Sequence, residues 1–145
     1  MSTVSGLRAL VAAVAFPALA AGAATGDLMD DAGIRAALAG ITLDGVYAQG
    51  IFFTETYAAD GTIAYVDGNG PNTGSWSVKD GMFCTFYQEQ QGACFFVRRE
   101  GINRFAFFEP KAGPGGTKAP RDAWTSRGWN RDEPSTCTEP RNGTI

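Results

Sequence analysis

The side chains that usually carry enzyme chemistry are sparse in this sequence. It contains no histidine, which removes the commonest general base, the Ser/His/Asp and Cys/His arrangements and most zinc sites. Two carboxylates form a candidate pair, because Glu55 and Asp67 would hydrolyse a glycoside if they met across a cleft. Nothing in their spacing indicates that they meet. The sequence therefore predicts a non-enzymatic protein with no catalytic residue and no cofactor.

One short segment has the outline of a calcium loop. Asp67-Gly68-Asn69-Gly70 offers oxygen ligands at alternate positions, as such loops do. However, Pro71 occupies the third ligand position, and Asn72 stands where the loop requires glycine. We interpret the segment as a turn, and no metal site is predicted.

The chain has three cysteines, Cys84, Cys94 and Cys137. Cys84 and Cys94 flank a turn centred near Glu89, so antiparallel pairing of the two flanking strands would place them opposite each other at a distance that suits a disulfide. Two alternatives remain open from the sequence. Either cysteine of the hairpin would pair with Cys137, or Cys137 would pair between molecules.

Two groups of side chains are candidates for a binding surface. The first mixes arginine with tryptophan, as contact hot spots do, and the alternative is that the tryptophans are anchors and the arginines solvated. The second group is aromatic, and its side chains either fill the core or surround a cavity. A barrel of six to eight strands can keep a cavity for one small ligand. The first group is Arg121, Trp124, Arg127, Trp129 and Arg131; the second includes Phe52, Phe53, Tyr57, Tyr65, Phe83, Phe86, Tyr87, Phe95, Phe96, Phe105, Phe107 and Phe108.

The elements that must position these residues are marked by acidic-glycine dipeptides twenty residues apart, at 60–61, 80–81 and 100–101. Such dipeptides supply the positive φ angles of tight hairpins. With the turn signals between them, they predict strands over residues 50–58, 62–67, 74–79, 82–88, 93–99 and 103–109, and a possible seventh over 43–48. The fold class is therefore mainly all-β: an antiparallel meander of six to seven strands forming a small barrel or a bent sheet.

Two further segments complete the predicted domain. Acidic residues, alanines and Gly40 predict one short N-terminal helix over residues 31–39 that plugs one end of the sheet. Glycines and prolines from Lys111 onward predict a loop-rich C-terminal tail over residues 111–145, docked at least over 123–130, after a core over residues 41–110.

Residues 1–23 have the pattern of a secretory signal peptide: one early Arg8, an apolar run too short to span a bilayer, and a small-x-small site at Ala21-Gly22-Ala23. The predicted product is a single periplasmic or secreted domain over residues 24–145, with no membrane span. It has 11 basic and 15 acidic residues, a net charge of −4, which argues against a general nucleic-acid binder.

The region of about residues 38–100 resembles small exported alphaproteobacterial proteins of unknown function. The resemblance is carried by residues 38–42, by residues 55–62, and by Gly74-Ser75-Trp76-Ser77-Val78 leading through Asp80-Gly81 to Cys84 and then Cys94. It implies a periplasmic single domain with a hairpin disulfide and brings no catalytic residues.

The leading functional hypothesis is a binding or accessory module for a small apolar ligand or a protein partner. An alternative is a structural, envelope-associated protein whose basic C-terminal half contacts anionic surface components. That half holds nine basic and six acidic residues from Arg98 onward, against two basic and nine acidic in residues 24–97. A hydrolase that uses the paired carboxylates is the third hypothesis.

Overall fold

The computed structural model describes residues 26–88 and 90–134. The elements in chain order are α1 (Asp31–Leu38), β1 (Thr42–Tyr47), β2 (Phe52–Tyr57), β3 (Thr62–Asp67), β4 (Gly70–Lys79), β5 (Met82–Tyr87), β6 (Gln90–Arg99), β7 (Phe105–Phe108), β8 (Pro110–Ala112), β9 (Lys118–Pro120) and β10 (Ser126–Asn130). Within the described residues, eight strands close into an antiparallel barrel in the order β1-β10-β7-β6-β5-β4-β3-β2, and β8 pairs with β9 in a separate hairpin.

The β4–β5 hairpin shows how the sequence sets the strand register. Asp80 and Gly81 both adopt positive φ angles, of 55° and 74°, which is the backbone of a two-residue turn whose twist matches that of the flanking strands. As predicted, Val78 then lies opposite Phe83, and both side chains are buried. The turn residues thereby decide which face of the hairpin is the core face.

The predicted antiparallel barrel with one short N-terminal helix is confirmed, and the barrel closes with eight strands. The eighth, β10, lies within residues 111–145, the segment predicted as a loop-rich tail. It pairs with β1 on one side and β7 on the other, so it is the strand that closes the barrel. The sequence of β10 shows only a weak strand pattern, because its central residue is Gly128. Glycine occupies this position because a Cβ there would lie 2.6 Å from Cδ2 of Leu43.

Helix α1 covers one end of the barrel, which we call the closed end. Asp30 caps the helix by accepting a hydrogen bond from the backbone N–H of Gly33. Ile34 and Leu38 are fully buried in the core cluster. The Arg35 guanidinium donates to the Val78 carbonyl at 2.6 Å, so the helix is tied to the sheet as well as packed on it.

The outer face of β5 and β6 carries the disulfide. Cys84 lies opposite Cys94, and their sulfur atoms are 2.06 Å apart, in agreement with the predicted hairpin pairing. The register shifts between Thr85 and Tyr87, and Phe86 between them is 55% exposed. A bulge or similar irregularity therefore interrupts this outer face.

Some predictions fall beyond the described residues. The signal peptide over residues 1–23 and Cys137 both lie outside them. Among the residues that the structure does describe, no helix has both the length and the apolar character needed to cross a membrane.

Candidate functional site

Aromatic side chains fill the half of the barrel nearest the closed end. The ring of Phe83 lies 5.2 Å from that of Tyr57 and 5.6 Å from that of Phe107, centroid to centroid. Trp76 packs against both Tyr57 and Phe83 at 6.0 Å, and its indole N–H donates to the Ala58 carbonyl at 2.8 Å. This half is a packed core, and Tyr57, Phe83 and Phe107 also line the cavity described next.

The opposite half encloses a cavity of about 140 Å³. It lies at what we call the open end, near the turns that join β1 to β2 and β3 to β4. Its walls are mostly aromatic rings, and it reaches solvent beside the exposed residues Gln91 and Ala93. Among its lining residues are Tyr47, Phe53, Glu55, Thr85, Tyr87 and Phe95.

Glu55 is the acidic residue of the cavity wall. It is only 7% exposed, and its two carboxylate oxygens accept hydrogen bonds from the hydroxyl groups of Tyr57 and Tyr87. Burial raises the pKa of Glu55 above its ordinary value, and the two hydroxyl donors offset only part of that rise. The cavity thus holds an acidic group that is costly to ionise.

A second chain of hydroxyl groups runs along the rim of the open end. The Tyr47 hydroxyl donates to the Tyr65 hydroxyl at 3.4 Å, and Tyr65 donates to Oδ2 of Asp67 at 2.9 Å. The backbone N–H of Asn69 also donates to Asp67, and this bond, with that from Tyr65, lowers the pKa of Asp67. The segment that outlined a calcium loop is therefore a turn closed on its own aspartate. The described residues hold no cluster of acidic or cysteine side chains suited to a metal ion.

The structure also places the two carboxylates that were considered for hydrolysis. Glu55 lies opposite Tyr65, and Phe53 lies opposite Asp67, so both carboxylates belong to the inner face of neighbouring strands. Each already accepts a tyrosine hydroxyl. Hydrolysis by this pair stays a hypothesis.

The arginine and tryptophan residues of the C-terminal segment are spread over the barrel wall. Trp129 is 7% exposed and lies opposite Asp44 on β1. Trp124 is half-buried beneath the Arg127 guanidinium, which lies 4.6 Å from the centre of its ring. Of the two tryptophans, Trp124 has surface available to a partner.

Each arginine of that group has a carboxylate of the same chain beside it. Arg121 lies 3.4 Å from Glu109 and Arg127 lies 3.3 Å from Glu100. These pairs reduce the positive charge that the C-terminal half presents to solvent. The use of this surface for partner binding stays a prediction.

Arg131 makes the closest of these ion pairs, at 2.6 Å from Asp44. Burial would raise the pKa of Asp44, but hydrogen bonds from Arg131 and Thr54 outweigh burial and lower it. Because Arg131 follows β10 and Asp44 lies on β1, the pair fastens the strand that closes the barrel.

The sequence indicates Glu55 only as a possible catalytic carboxylate, and it does not place this residue in the aromatic cavity that is one of the two predicted arrangements. A signal was present. In the run Phe53-Thr54-Glu55-Thr56-Tyr57, strand periodicity places Glu55 on the same face as two aromatic side chains. A carboxylate at a core position is rare unless it is paired, which marks the position as unusual.

Comparison of the chain with known protein families, with characterised proteins and with solved structures finds no match. The class of protein that the fold defines is a small eight-stranded antiparallel barrel with an interior cavity. Its function is argued below from that geometry.

Proposed function

We propose that the protein is an exported, non-enzymatic binding module that holds one small ligand inside the open end of its barrel. The observation that carries this proposal is the cavity of about 140 Å³ in a barrel whose other half is tightly packed. Cores normally leave few voids larger than a water molecule. A space of this size, lined by rings and one carboxyl group, has the composition typical of ligand sites.

The size of the cavity limits the ligand. An apolar cavity of about 150 Å³ accommodates benzene, so this one accommodates a molecule of roughly the same bulk. The walls offer apolar contact from Phe53 and Phe95 and hydrogen-bonding groups from Glu55 and Tyr87. A small apolar molecule with one polar group matches both features.

Two features support export. The hairpin disulfide between Cys84 and Cys94 belongs to oxidising compartments such as the periplasm, and the first 23 residues have the composition of a secretory leader. Periplasmic location is therefore part of the proposal.

The other hypotheses receive less support. Contact with anionic envelope components would need unpaired basic surface, whereas Arg121, Arg127 and Arg131 lie beside carboxylates of the same chain. A protein partner on the same segment would find Trp129 buried. The proposal of an interior binding site depends neither on the ion pairs of these arginines nor on the burial of Trp129.

Titration with phenol tests the proposal, since phenol has the bulk of benzene and a hydroxyl that can donate to Glu55. The chemical shifts of the cavity residues should change in a saturable way. Ala93→Trp should abolish those changes, because residue 93 is exposed and lines the opening. Ala64→Trp is the matched control, since Ala64 is an exposed residue of β3 that does not line this cavity.

The two variants make the result specific to the cavity. If phenol perturbs scattered surface residues, or if Ala93→Trp and Ala64→Trp respond to it equally, the cavity is not a binding site and the proposal fails.

A further inference from the structure

We propose that the cavity selects small organic cations, such as a quaternary or primary ammonium group on a compact carbon skeleton. This inference rests on the proposed function and adds the chemical class of the ligand. Its basis is the combination of one buried carboxyl group, walls of aromatic rings, and the lack of lysine and arginine among the described residues that line the cavity.

The charge of the cavity is the first argument. Glu55 is the one carboxylic acid among the described residues of the lining, and those residues include neither lysine nor arginine. A buried carboxylate is costly unless a cation or several hydrogen bonds compensate it. Two tyrosine hydroxyls supply part of this compensation. A ligand cation supplies the remainder, whereas a ligand anion would meet like charge.

The hydrogen-bonding capacity of Glu55 is the second argument. An ionised carboxylate offers about four acceptor positions, and Tyr57 and Tyr87 occupy one on each oxygen. About two positions therefore remain for donors from a ligand. The two tyrosines also hold the carboxyl group in one orientation, so a cation meets a site that is already organised.

The aromatic walls are the third argument. Tyr47 and Phe53 stand 4.5 Å apart, centroid to centroid, on one side of the cavity, and Tyr87 and Phe95 also line it. The electron-rich faces of such rings attract ammonium groups, and the attraction grows when the site is desolvated. Sites that enclose ammonium groups are built from such aromatic rings, and here the rings stand beside a carboxylate.

A second negative charge, on Asp67, lies at the open end of the barrel. Asp67 lies on the inner face of β3 beyond Tyr65 and keeps a lowered pKa. Its carboxylate is therefore ionised at neutral pH. A cation that approaches this end of the barrel encounters negative charge at the rim before it reaches Glu55, which favours its entry over that of an anion.

The test compares choline with its uncharged carbon isostere, in which a tert-butyl group replaces the trimethylammonium group. The two probes have the same shape and the same number of heavy atoms, so the ratio of their affinities reports the charge. We expect choline to bind at least about tenfold more tightly to the wild-type protein, from the combined carboxylate and ring contributions. Binding is followed by chemical-shift titration at physiological ionic strength.

A variant then assigns the preference to its source. Glu55→Gln should lower the ratio severalfold, to the smaller preference that the aromatic rings alone provide, while leaving the affinity for the isostere nearly unchanged. Asp80→Asn is the control for general charge, because it removes an exposed carboxylate in the turn between β4 and β5, at the closed end of the barrel and outside the cavity lining. It should leave the preference for choline unchanged.

The wild-type ratio decides the inference without any variant. A ratio of one or less overturns cation selectivity, even if Glu55→Gln fails to fold. If neither probe binds but phenol does, the inference fails while the interior binding function survives. If phenol also fails to bind, both the inference and the proposed function fail.

Discussion

Reduction of the disulfide between Cys84 and Cys94 should destabilise this barrel by an amount that the structure allows us to calculate. The bond joins residues separated by 10 positions. In the chain-entropy account, a crosslink that closes a loop of this length stabilises the folded state by about 3 kcal/mol, because it restricts the unfolded chain. For a domain of this size, each kcal/mol changes the melting temperature by roughly 4 °C. Reduction should therefore lower the melting temperature by roughly 10 °C.

The measurement is thermal unfolding, followed by circular dichroism, with and without a reductant. A Cys137→Ser background leaves the pair Cys84 and Cys94 as the only cysteines in the chain, so exchange with a third thiol cannot contribute. A Cys84→Ser, Cys94→Ser version of that background is the control and should not respond to the reductant.

A decrease of less than about 3 °C would refute the entropic reasoning, since it corresponds to under about 1 kcal/mol. It would mean that the unfolded chain already keeps these two strands close together. A decrease far above 10 °C would refute it in the opposite direction, by showing that the bond also holds the native barrel in register.

Two further predictions concern the barrel wall and its interior. Trp129→Ala should lower the unfolding free energy, measured in urea titrations, by about 3 to 5 kcal/mol because Trp129 is buried. Trp124→Ala should lower it by only about 1 kcal/mol, through loss of the contact with Arg127. Equal losses would contradict the assignment of Trp129 to the core and Trp124 to the surface. The raised pKa of Glu55 means that its contribution to stability is greatest below its ordinary pKa of 4.5 and is lost as pH rises through the folded-state pKa. The unfolding free energy of the wild type minus that of Glu55→Gln should therefore decrease with rising pH, and a constant difference would show that burial does not perturb Glu55.

Much of the fold could be predicted because its determinants are local. Asp80-Gly81 specifies its turn through its own backbone angles, and the residues next to it then pair by counting outward. The helix over Asp31–Leu38 likewise depends on its cap at Asp30 and on the glycine that follows it. Such signals act within a few residues, so the sequence displays them directly.

The eighth strand and the cavity were not predictable in the same way. Ser126–Asn130 becomes a strand because β1 and β7 both lack a partner there, which is a property of the other strands. The space beside Glu55 exists because Thr85 and Ala93 leave room between larger rings. Volume left between strands that are distant in sequence has no local signature.

The sequence by itself determined the meander, the helix at one end, the placing of two cysteines on either side of a hairpin turn, and the lack of histidine. Each of these depends on residue type or on short spacing. The tertiary structure alone decided that the barrel closes, that its aromatic residues fill one half only, and that Glu55 faces the remaining space with two tyrosine hydroxyls directed at it. Closure of the barrel depends on the geometry of all eight strands together. The cavity depends on the volumes of side chains that meet across the barrel from distant parts of the chain. Neither property is therefore visible in a single segment of the sequence.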